Sequence, residues 1–196
     1  MKLSKLTTLF VSIGIILFLI LSVLMFKQEL KRPQLPRVGE VLPFELIDEE
    51  GRPFNSKILQ GNVWIANFFF TTCADVCPML SKNMASLARS YDLLNDVKFI
   101  SFSVNPEQDS PEALKEYALK LKAKKDKWFF LTGSREKLTE VALKSFKIGS
   151  VEEPIFHSAY FCLVDRRGII RGYYEGMKQE DVNKLFKDIS TLLKER

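Results

Sequence analysis

Apolar and polar residues alternate in short blocks along most of the chain, and each block predicts a strand or a helix. The run VWIANFFF at residues 63–70 is almost continuously apolar, which is typical of a strand covered on both faces. Further strands are predicted at residues 97–104, 128–131, 159–164 and 169–174. Helices are predicted from Pro78 onward and at residues 111–125, 135–146 and 178–194.

The order of these elements indicates the fold class. Residues 44–48 and 52–55 flank a Glu-Glu-Gly turn and predict a small hairpin. The hairpin is followed by β-α-β-α-β-α and then by β-β-α. Strands separated by helices imply parallel crossovers, and the closing hairpin adds antiparallel strands. We therefore predict an α/β fold, a thioredoxin-like mixed sheet flanked by helices with an N-terminal β-hairpin extension.

The N-terminal region has a different composition. Residues 6–26 are 21 consecutive positions without a charged side chain. A run of that length is sufficient to span a hydrocarbon core of about 30 Å, and no A-x-A-like cleavage site follows it. We predict a short tail at residues 1–5, a single N-terminal transmembrane helix at 6–26, a linker at 27–40 and one domain at 41–196.

The net charge of +5 narrows the classes of partner. Many lysines fall in the helix-like stretch 115–127, without the repeated aromatic residues of a nucleic-acid platform. We therefore predict a solvated basic face and no nucleic-acid partner. Attraction to anionic lipid or to an acidic protein is the alternative interpretation.

The candidate chemistry is in the segment TTCADVCP, which contains Cys73 and Cys77 and follows the strand at 63–70. Ligands bind at the carboxyl ends of strands in open α/β sheets. With Pro78 as the first helical residue, Cys77 is the N-cap, where the helix dipole stabilises a thiolate. Two close thiolates form a disulfide or bind a soft metal such as Cu(I), and the C-x3-C spacing alone does not distinguish these outcomes.

His157 is the only histidine, and it directly precedes the strand at 159–164. Two thiolates and one imidazole form a coherent ligand set for copper, while a Cys2His zinc site with an open position remains an alternative. A loop or core histidine with no ligand role is the simpler interpretation of His157. Cys162, within an apolar strand, is predicted to be a small buried hydrophobic residue.

Several segments in order resemble the Sco/SenC copper chaperones of cytochrome c oxidase assembly, over residues 38–192. FFTTCADVCP at 69–78 resembles the family's T-x-C-P-D-x-C-P core, and FSVNPEQD at 102–109 resembles its S-V-D-P-x-x-D segment. Residues 128–133 resemble its W-x-x-L-T-G, and His157-Ser158 resembles its D-H-S.

The resemblance implies a thioredoxin fold on a membrane tether, with copper as Cu(I) or Cu(II) bound by Cys73, Cys77 and His157. It further implies delivery of copper to the dinuclear centre of cytochrome c oxidase subunit II. Because a disulfide cannot bind copper, a thioredoxin-like reductant is expected as a second partner. A close cysteine pair suits an oxidising compartment, so we predict a bacterial cytoplasmic membrane protein with its domain on the extracytoplasmic (periplasmic) side.

The chain departs from the family pattern at three positions: Ala74 replaces a proline, Asn105 replaces an aspartate, and Phe156 replaces the acid before the histidine. The two lost carboxylates are predicted to lie near the site, so copper affinity or the preferred oxidation state is where this chain would differ. Asp75 matches the family's acid between the cysteines. It is interpreted either as a residue that tunes thiolate charge or docking, or as a simple helix-start acid.

The alternative function is that of an enzyme, a thiol:disulfide oxidoreductase acting through Cys73 and Cys77. Typical thioredoxin-like oxidoreductases have C-x2-C and a cis-proline before the late strand, whereas here the spacing is three and Pro154 is the nearest proline. A non-catalytic domain with a structural disulfide is a third interpretation. The metallochaperone is preferred, and whether the chain also has enzyme activity is left open.

Overall fold

The structure is a computed structural model that describes residues 5–30, 34–72, 77–149 and 159–195 of the 196-residue chain. The chain divides into two compact units, Met1–Gln34 and Leu35–Arg196. The first unit contains one helix, α1 (Lys5–Leu30). The strands and the other helices belong to the second unit.

α1 covers the segment predicted to cross a membrane. Among the residues that the structure describes, no helix is both long and apolar enough for such a crossing. A membrane span needs about 20 consecutive, predominantly apolar residues. By this criterion the prediction of a single N-terminal transmembrane helix at 6–26 is wrong. The tail, linker and domain boundaries stay predictions.

The second unit contains an eight-stranded sheet and four helices over its described residues. The strands are β1 (Gly39–Glu40), β2 (Glu45–Asp48), β3 (Pro53–Asn55), β4 (Val63–Phe69), β5 (Val97–Ser103), β6 (Trp128–Thr132), β7 (Tyr160–Val164) and β8 (Ile169–Glu175). The helices are α2 (Cys77–Ser90), α3 (Pro111–Lys120), α4 (Arg135–Glu140) and α5 (Gln179–Lys194). A 3-10 turn at Ser56–Leu59 and a π-helical turn at Val141–Ser145 complete them.

The strands form one mixed sheet in the order β1-β8-β7-β4-β5-β6-β2-β3. β4, β5 and β6 are parallel, and all other neighbouring strands are antiparallel. The predicted α/β class, the mixed sheet and the N-terminal hairpin, which is β2–β3, are confirmed. β1 was not predicted, because its two residues fall within the segment predicted to be a linker.

Two helices are shorter than their patterns predict, and each has a local cause. α3 ends at Lys120 because Lys122 has a φ of 55°, in the left-handed region that a helix cannot continue through. After α4 the chain widens into the π-helical turn, in which the Phe146 N–H bonds to the Val141 carbonyl at 3.3 Å.

Both faces of the sheet are covered by apolar cores. All seven residues of β4 are buried. Its alternate side chains enter two different cores: Ile65 and Phe69 pack with residues of α2, α3 and α5, whereas Trp64 and Phe68 pack on the opposite face with Phe146. The sheet is therefore a middle layer, with apolar cores on both of its faces.

The side chain of Glu49 extends the pairing of β2 with β6. β2 pairs with β6 at Ile47 and Asp48 only. Just beyond, the Glu49 carboxylate accepts a hydrogen bond from the Phe130 N–H at 3.0 Å. Burial raises the pKa of Glu49 above its ordinary value of 4.5, and the charges of Asp48 and Glu50 add to the rise, against the lowering effect of the Phe130 hydrogen bond.

This raised pKa predicts a pH dependence of stability. Between pH 4.5 and the raised pKa, the native state retains a proton that the unfolded state has released, so the free energy of unfolding falls as the pH rises. Glu49→Gln keeps an acceptor for Phe130 and removes the titration. We expect wild type to lose stability relative to this variant through that window in urea unfolding at stepped pH. Glu116→Gln, at an exposed helix position, is the control and should keep the wild-type profile.

Arg171 joins the beginning and the end of the second unit. It is only 5% exposed. Its guanidinium contacts the carboxylates of Asp165 at 2.9 Å and Glu195 at 3.0 Å. It also donates to the carbonyls of Leu35 at 2.7 Å and Pro36 at 3.0 Å. One side chain thus holds the segment before β1 against the residue that follows α5.

We expect Arg171→Leu to lower the free energy of unfolding by about 3–5 kcal/mol, because removing one partner leaves buried charge uncompensated. Urea unfolding monitored by circular dichroism measures the change. Arg167→Leu alters an exposed residue of the neighbouring turn and should change stability by no more than about 0.5 kcal/mol. Equal effects of the two variants would contradict the assignment.

Candidate metal centre

β4 carries the chain to the place where the predicted cysteine loop begins. The strand ends at Phe69, and α2 begins at Cys77, one residue before the predicted helix start at Pro78. Cys77 therefore belongs to the first turn of a 14-residue helix. The unpaired N–H groups and the dipole at such a terminus favour a negative charge.

The other predicted ligands, Cys73 and His157, lie outside the described residues, as do Ala74, Asp75 and Phe156. The described part of the chain therefore gives a backbone position for Cys77 alone among the three ligands. Within that part, no group of three or more His, Cys, Asp or Glu side chains could hold a metal ion. The ligand set of Cys73, Cys77 and His157 stays a prediction.

β7 enters the sheet beside the end of β4. The two strands are antiparallel, with Trp64 opposite Val164 and Ala66 opposite Cys162. Because they run in opposite directions, the first residue of β7, Tyr160, lies towards the carboxyl end of β4. The chain thus leaves β4 and enters β7 at the same end of the sheet.

Gly176 connects the start of β7 to α2. Its N–H donates to the Ala159 carbonyl at 2.7 Å, and its own carbonyl accepts from the Asn83 side chain at 2.7 Å. A Cβ at this position would lie 2.2 Å from Leu80 Cδ1. Only glycine permits this close approach, which fixes the first turns of α2 against the β7–β8 hairpin.

Thr71, two residues before Cys73, is held by a buried carboxylate from the loop after β5. Its N–H and its hydroxyl both donate to Asp109 Oδ1, at 3.1 and 2.5 Å. Asp109 is fully buried, and its second oxygen accepts from the Ser103 hydroxyl at 2.6 Å. The strand–loop junction is therefore bonded to the end of the neighbouring strand.

Thr72 contacts the same segment, residues 105–109, hereafter the 105–109 loop. The Thr72 hydroxyl donates to Gln108 Oε1 at 3.1 Å, and the Asn105 amide donates to that oxygen at 3.0 Å. An ionised aspartate has no donor for this bond, so Asn105 supports Gln108 where the family pattern has an acid. Residues 102–109 carry a family motif, but no local pattern in the sequence indicates the contacts of Gln108 with Thr72 and Asn105.

Cys162, the third cysteine, lies within β7 and not in the cysteine loop. It has no exposed surface and no disulfide partner among the described residues. Burial raises the pKa of its thiol well above the ordinary value. The prediction that Cys162 is a small buried hydrophobic residue is confirmed.

Comparison with known proteins identifies the family. Residues 34–194 match the family model described as SCO1/SenC. The chain belongs to the SCO1/SenC family. The SCO1 protein homolog of Bacillus subtilis is 35% identical over 158 residues, which cover 78% of this chain and 82% of that protein.

Solved structures of family members superpose on this chain. A SCO1/SenC family lipoprotein from Bacillus anthracis is 32% identical, with a TM-score of 0.71 and coverage of 80% of this chain and 96% of its own. BsSco is 34% identical, with a TM-score of 0.72 and coverage of 83% and 98%. It is described as a member of the Sco family of cytochrome c oxidase assembly proteins with a disulfide switch.

A third structure contains the predicted metal. Arabidopsis thaliana ScoI with copper bound is 26% identical, with a TM-score of 0.64 and coverage of 81% of this chain and 99% of its own. The family assignment is thus confirmed, as is copper as a metal that SCO1/SenC proteins bind. Oxidase assembly is the process in which the Sco family takes part.

The burial of Cys162 predicts that its thiol reacts slowly in the native protein. In the reduced native protein, iodoacetamide should alkylate Cys162 at least about a thousandfold more slowly than in urea, because access requires an opening that costs about 5 kcal/mol or more. Mass spectrometry of the peptide containing Cys162 measures the rate, and the urea-unfolded protein is the control. Comparable rates in both conditions would contradict the buried assignment.

Proposed function

We propose that this SCO1/SenC protein binds copper through Cys73, Cys77 and His157 and delivers it to the dinuclear centre of cytochrome c oxidase subunit II. The observation that carries the proposal is the start of α2 at Cys77, just past the carboxyl end of β4 and at the end of the sheet where β7 enters. Ligand sites of open α/β sheets form at this edge.

Chain length supports a common site for the three residues. Cys73 follows the last residue of β4 by four positions, and His157 precedes the first residue of β7 by three. Extended segments of that length reach about 10–14 Å. Since paired strands lie about 5 Å apart, segments of these lengths are long enough to bring Cys73 and His157 together at this end of the sheet.

The donor set fits copper. Two thiolates are soft ligands that select Cu(I), and an imidazole nitrogen is accepted by both copper oxidation states. Thiolate binding releases the thiol protons, and the N-terminus of α2 favours the negative charge that remains on Cys77. Mg²⁺ and Ca²⁺, which prefer oxygen ligands, do not match this set.

Transfer is proposed to occur by stepwise ligand exchange. A thiolate or imidazole of the acceptor replaces one of the protein's ligands at a time. The copper moves to the acceptor without a change in its oxidation state. A Cys73–Cys77 disulfide has no thiolate to offer, so two electrons and two protons from a thioredoxin-like reductant restore the binding form.

We propose an extracytoplasmic location for the domain. A close cysteine pair that persists as a disulfide suits an oxidising compartment, and a lipoprotein is found among the similar family members. Either feature is compatible with a periplasmic or cell-surface site at which subunit II presents its copper centre.

One second function has support, a thiol:disulfide oxidoreductase acting through Cys73 and Cys77. It is favoured by the disulfide switch ascribed to BsSco. The same dithiol can serve both functions, because the reduced pair binds metal and the oxidised pair accepts electrons.

A copper titration distinguishes the two functions. We expect the full-length reduced protein to bind one Cu(I) tightly in competition with a chromogenic Cu(I) chelator. Cys73→Ala or Cys77→Ala should weaken binding by more than about a hundredfold, beyond the range for groups that only support a ligand. His157→Ala should weaken it by a smaller factor, because both thiolates remain.

Cys162→Ala is the matched control, since it removes a buried thiol from the same chain, and it should keep the tight site. The copper-loaded protein should then pass its metal to the copper-free soluble domain of subunit II. Absence of a tight site in wild type, together with a readily cycled disulfide, would replace the chaperone by the oxidoreductase.

A further inference from the structure

We propose that Asp109 is a positioning residue for this site: its buried carboxylate fixes Thr71, so that the loop through Cys73 departs from one backbone geometry. The inference rests on the proposed function, because it assigns Asp109 a role towards the same cysteines. Asp109 follows Thr71 by 38 positions, and the two meet at the ends of β4 and β5.

Hydrogen bonds fully account for the buried carboxylate. Asp109 has no exposed surface, and it accepts from the Thr71 N–H, the Thr71 hydroxyl and the Ser103 hydroxyl. A buried carboxylate without such donors would be costly, and bonds to a charged acceptor are about twice as strong as neutral ones. Thr71 supplies two of the three donors, so most of the hydrogen bonding that stabilises this carboxylate comes from Thr71.

The double contact restrains both the backbone and the side chain of Thr71. The N–H bond fixes the orientation of its peptide group, and the hydroxyl bond selects its rotamer. Thr72 is held in turn by Gln108 at 3.1 Å. Both residues before Cys73 are therefore bonded to the 105–109 loop, which leaves little freedom upstream of the first thiol.

The 105–109 loop is a rigid support for these bonds. The N–H groups of Gln108 and Asp109 both donate to the Asn105 carbonyl, at 3.1 and 2.9 Å. The Asn105 N–H donates to the Ser103 hydroxyl at 3.1 Å. α3 begins directly after the loop, with Ser110 as its N-cap. Asp109 thus holds the start of the cysteine loop in a fixed position relative to β5 and α3.

Pre-organisation is the expected benefit. Copper chelation and disulfide formation both require the two sulfur atoms to be close, and a loop that starts from one geometry loses less entropy in reaching that state. Relaxing the restraint should therefore weaken copper binding and disfavour the disulfide together.

Asp109→Ala is the direct test, because it removes every acceptor for Thr71 and Ser103, whereas the amide oxygen of an asparagine would still accept from Thr71. We expect the Cu(I) dissociation constant to rise about 10–100-fold, the range for groups that support a metal ligand. In the metal-free protein, the equilibrium constant for disulfide formation against a dithiol buffer should fall about tenfold, or about 30 mV. The second measurement needs no copper.

Asp48→Ala is the matched control. Asp48 is also a buried aspartate that accepts hydrogen bonds, but β2 lies three strands away from β4 in the sheet. This variant should lower the free energy of unfolding and leave copper affinity and the disulfide equilibrium at wild-type values.

A second pair of variants covers the case in which Asp109→Ala does not fold. Thr71→Val keeps the shape and loses the hydroxyl donor, and it should raise the Cu(I) dissociation constant about tenfold. Thr71→Ser retains that donor and should remain near wild type. Recovery by serine separates the hydrogen bond to Asp109 from packing at position 71.

Wild-type copper affinity and an unchanged disulfide equilibrium in Asp109→Ala and Thr71→Val, with only the loss of stability seen in Asp48→Ala, would overturn the proposal. If wild type lacks a tight copper site while Asp109→Ala still shifts the disulfide equilibrium, the proposed copper function fails. The positioning role of Asp109 towards the cysteine pair is then supported independently.

Discussion

β4 is buried along its whole length and paired on both edges, in parallel with β5 and antiparallel to β7. A strand in this position contributes alternate side chains to two cores and leaves no room for a ligand along its faces. The first place where the chain meets solvent is beyond Phe69. The position of the cysteine loop is therefore a consequence of how completely the central strand is buried, and the neighbouring strand ends decide what surrounds that loop.

Two buried carboxylates show how the polar ends of the strands are satisfied. Glu49 accepts one backbone hydrogen bond, from Phe130, and burial raises its pKa. Asp109 is more deeply buried and accepts three hydrogen bonds, two of them from Thr71. The first carboxylate extends strand pairing at the edge of the hairpin. The second ties the end of β4 to the loop after β5, which is where a small displacement would move a thiol.

The departure at Asn105 acquires a physical meaning in this context. Its amide donates to Gln108, which also accepts from Thr72. An aspartate would add a further acidic side chain to a loop that already contains Glu107 and Asp109, and it would provide no donor for Gln108. The difference from the family pattern thus concerns how the 105–109 loop is bonded. Copper affinity in this chain is expected to depend on that bonding rather than on a lost ligand at position 105.

The sequence by itself determined most of the strands and helices and the family, and it supplied the proposed ligands, because periodicity, turn residues and short motifs are local properties. The apolar pattern of residues 63–70 predicted β4, and the C-x3-C segment located the cysteines. The same reasoning failed for the transmembrane assignment of residues 6–26, and it did not find β1. Only the tertiary structure decided that β7 pairs beside β4, that Arg171 joins both ends of the unit, and that Asp109 bonds Thr71. These contacts link residues far apart in the chain, and strand order and register, which no local pattern encodes, bring them together.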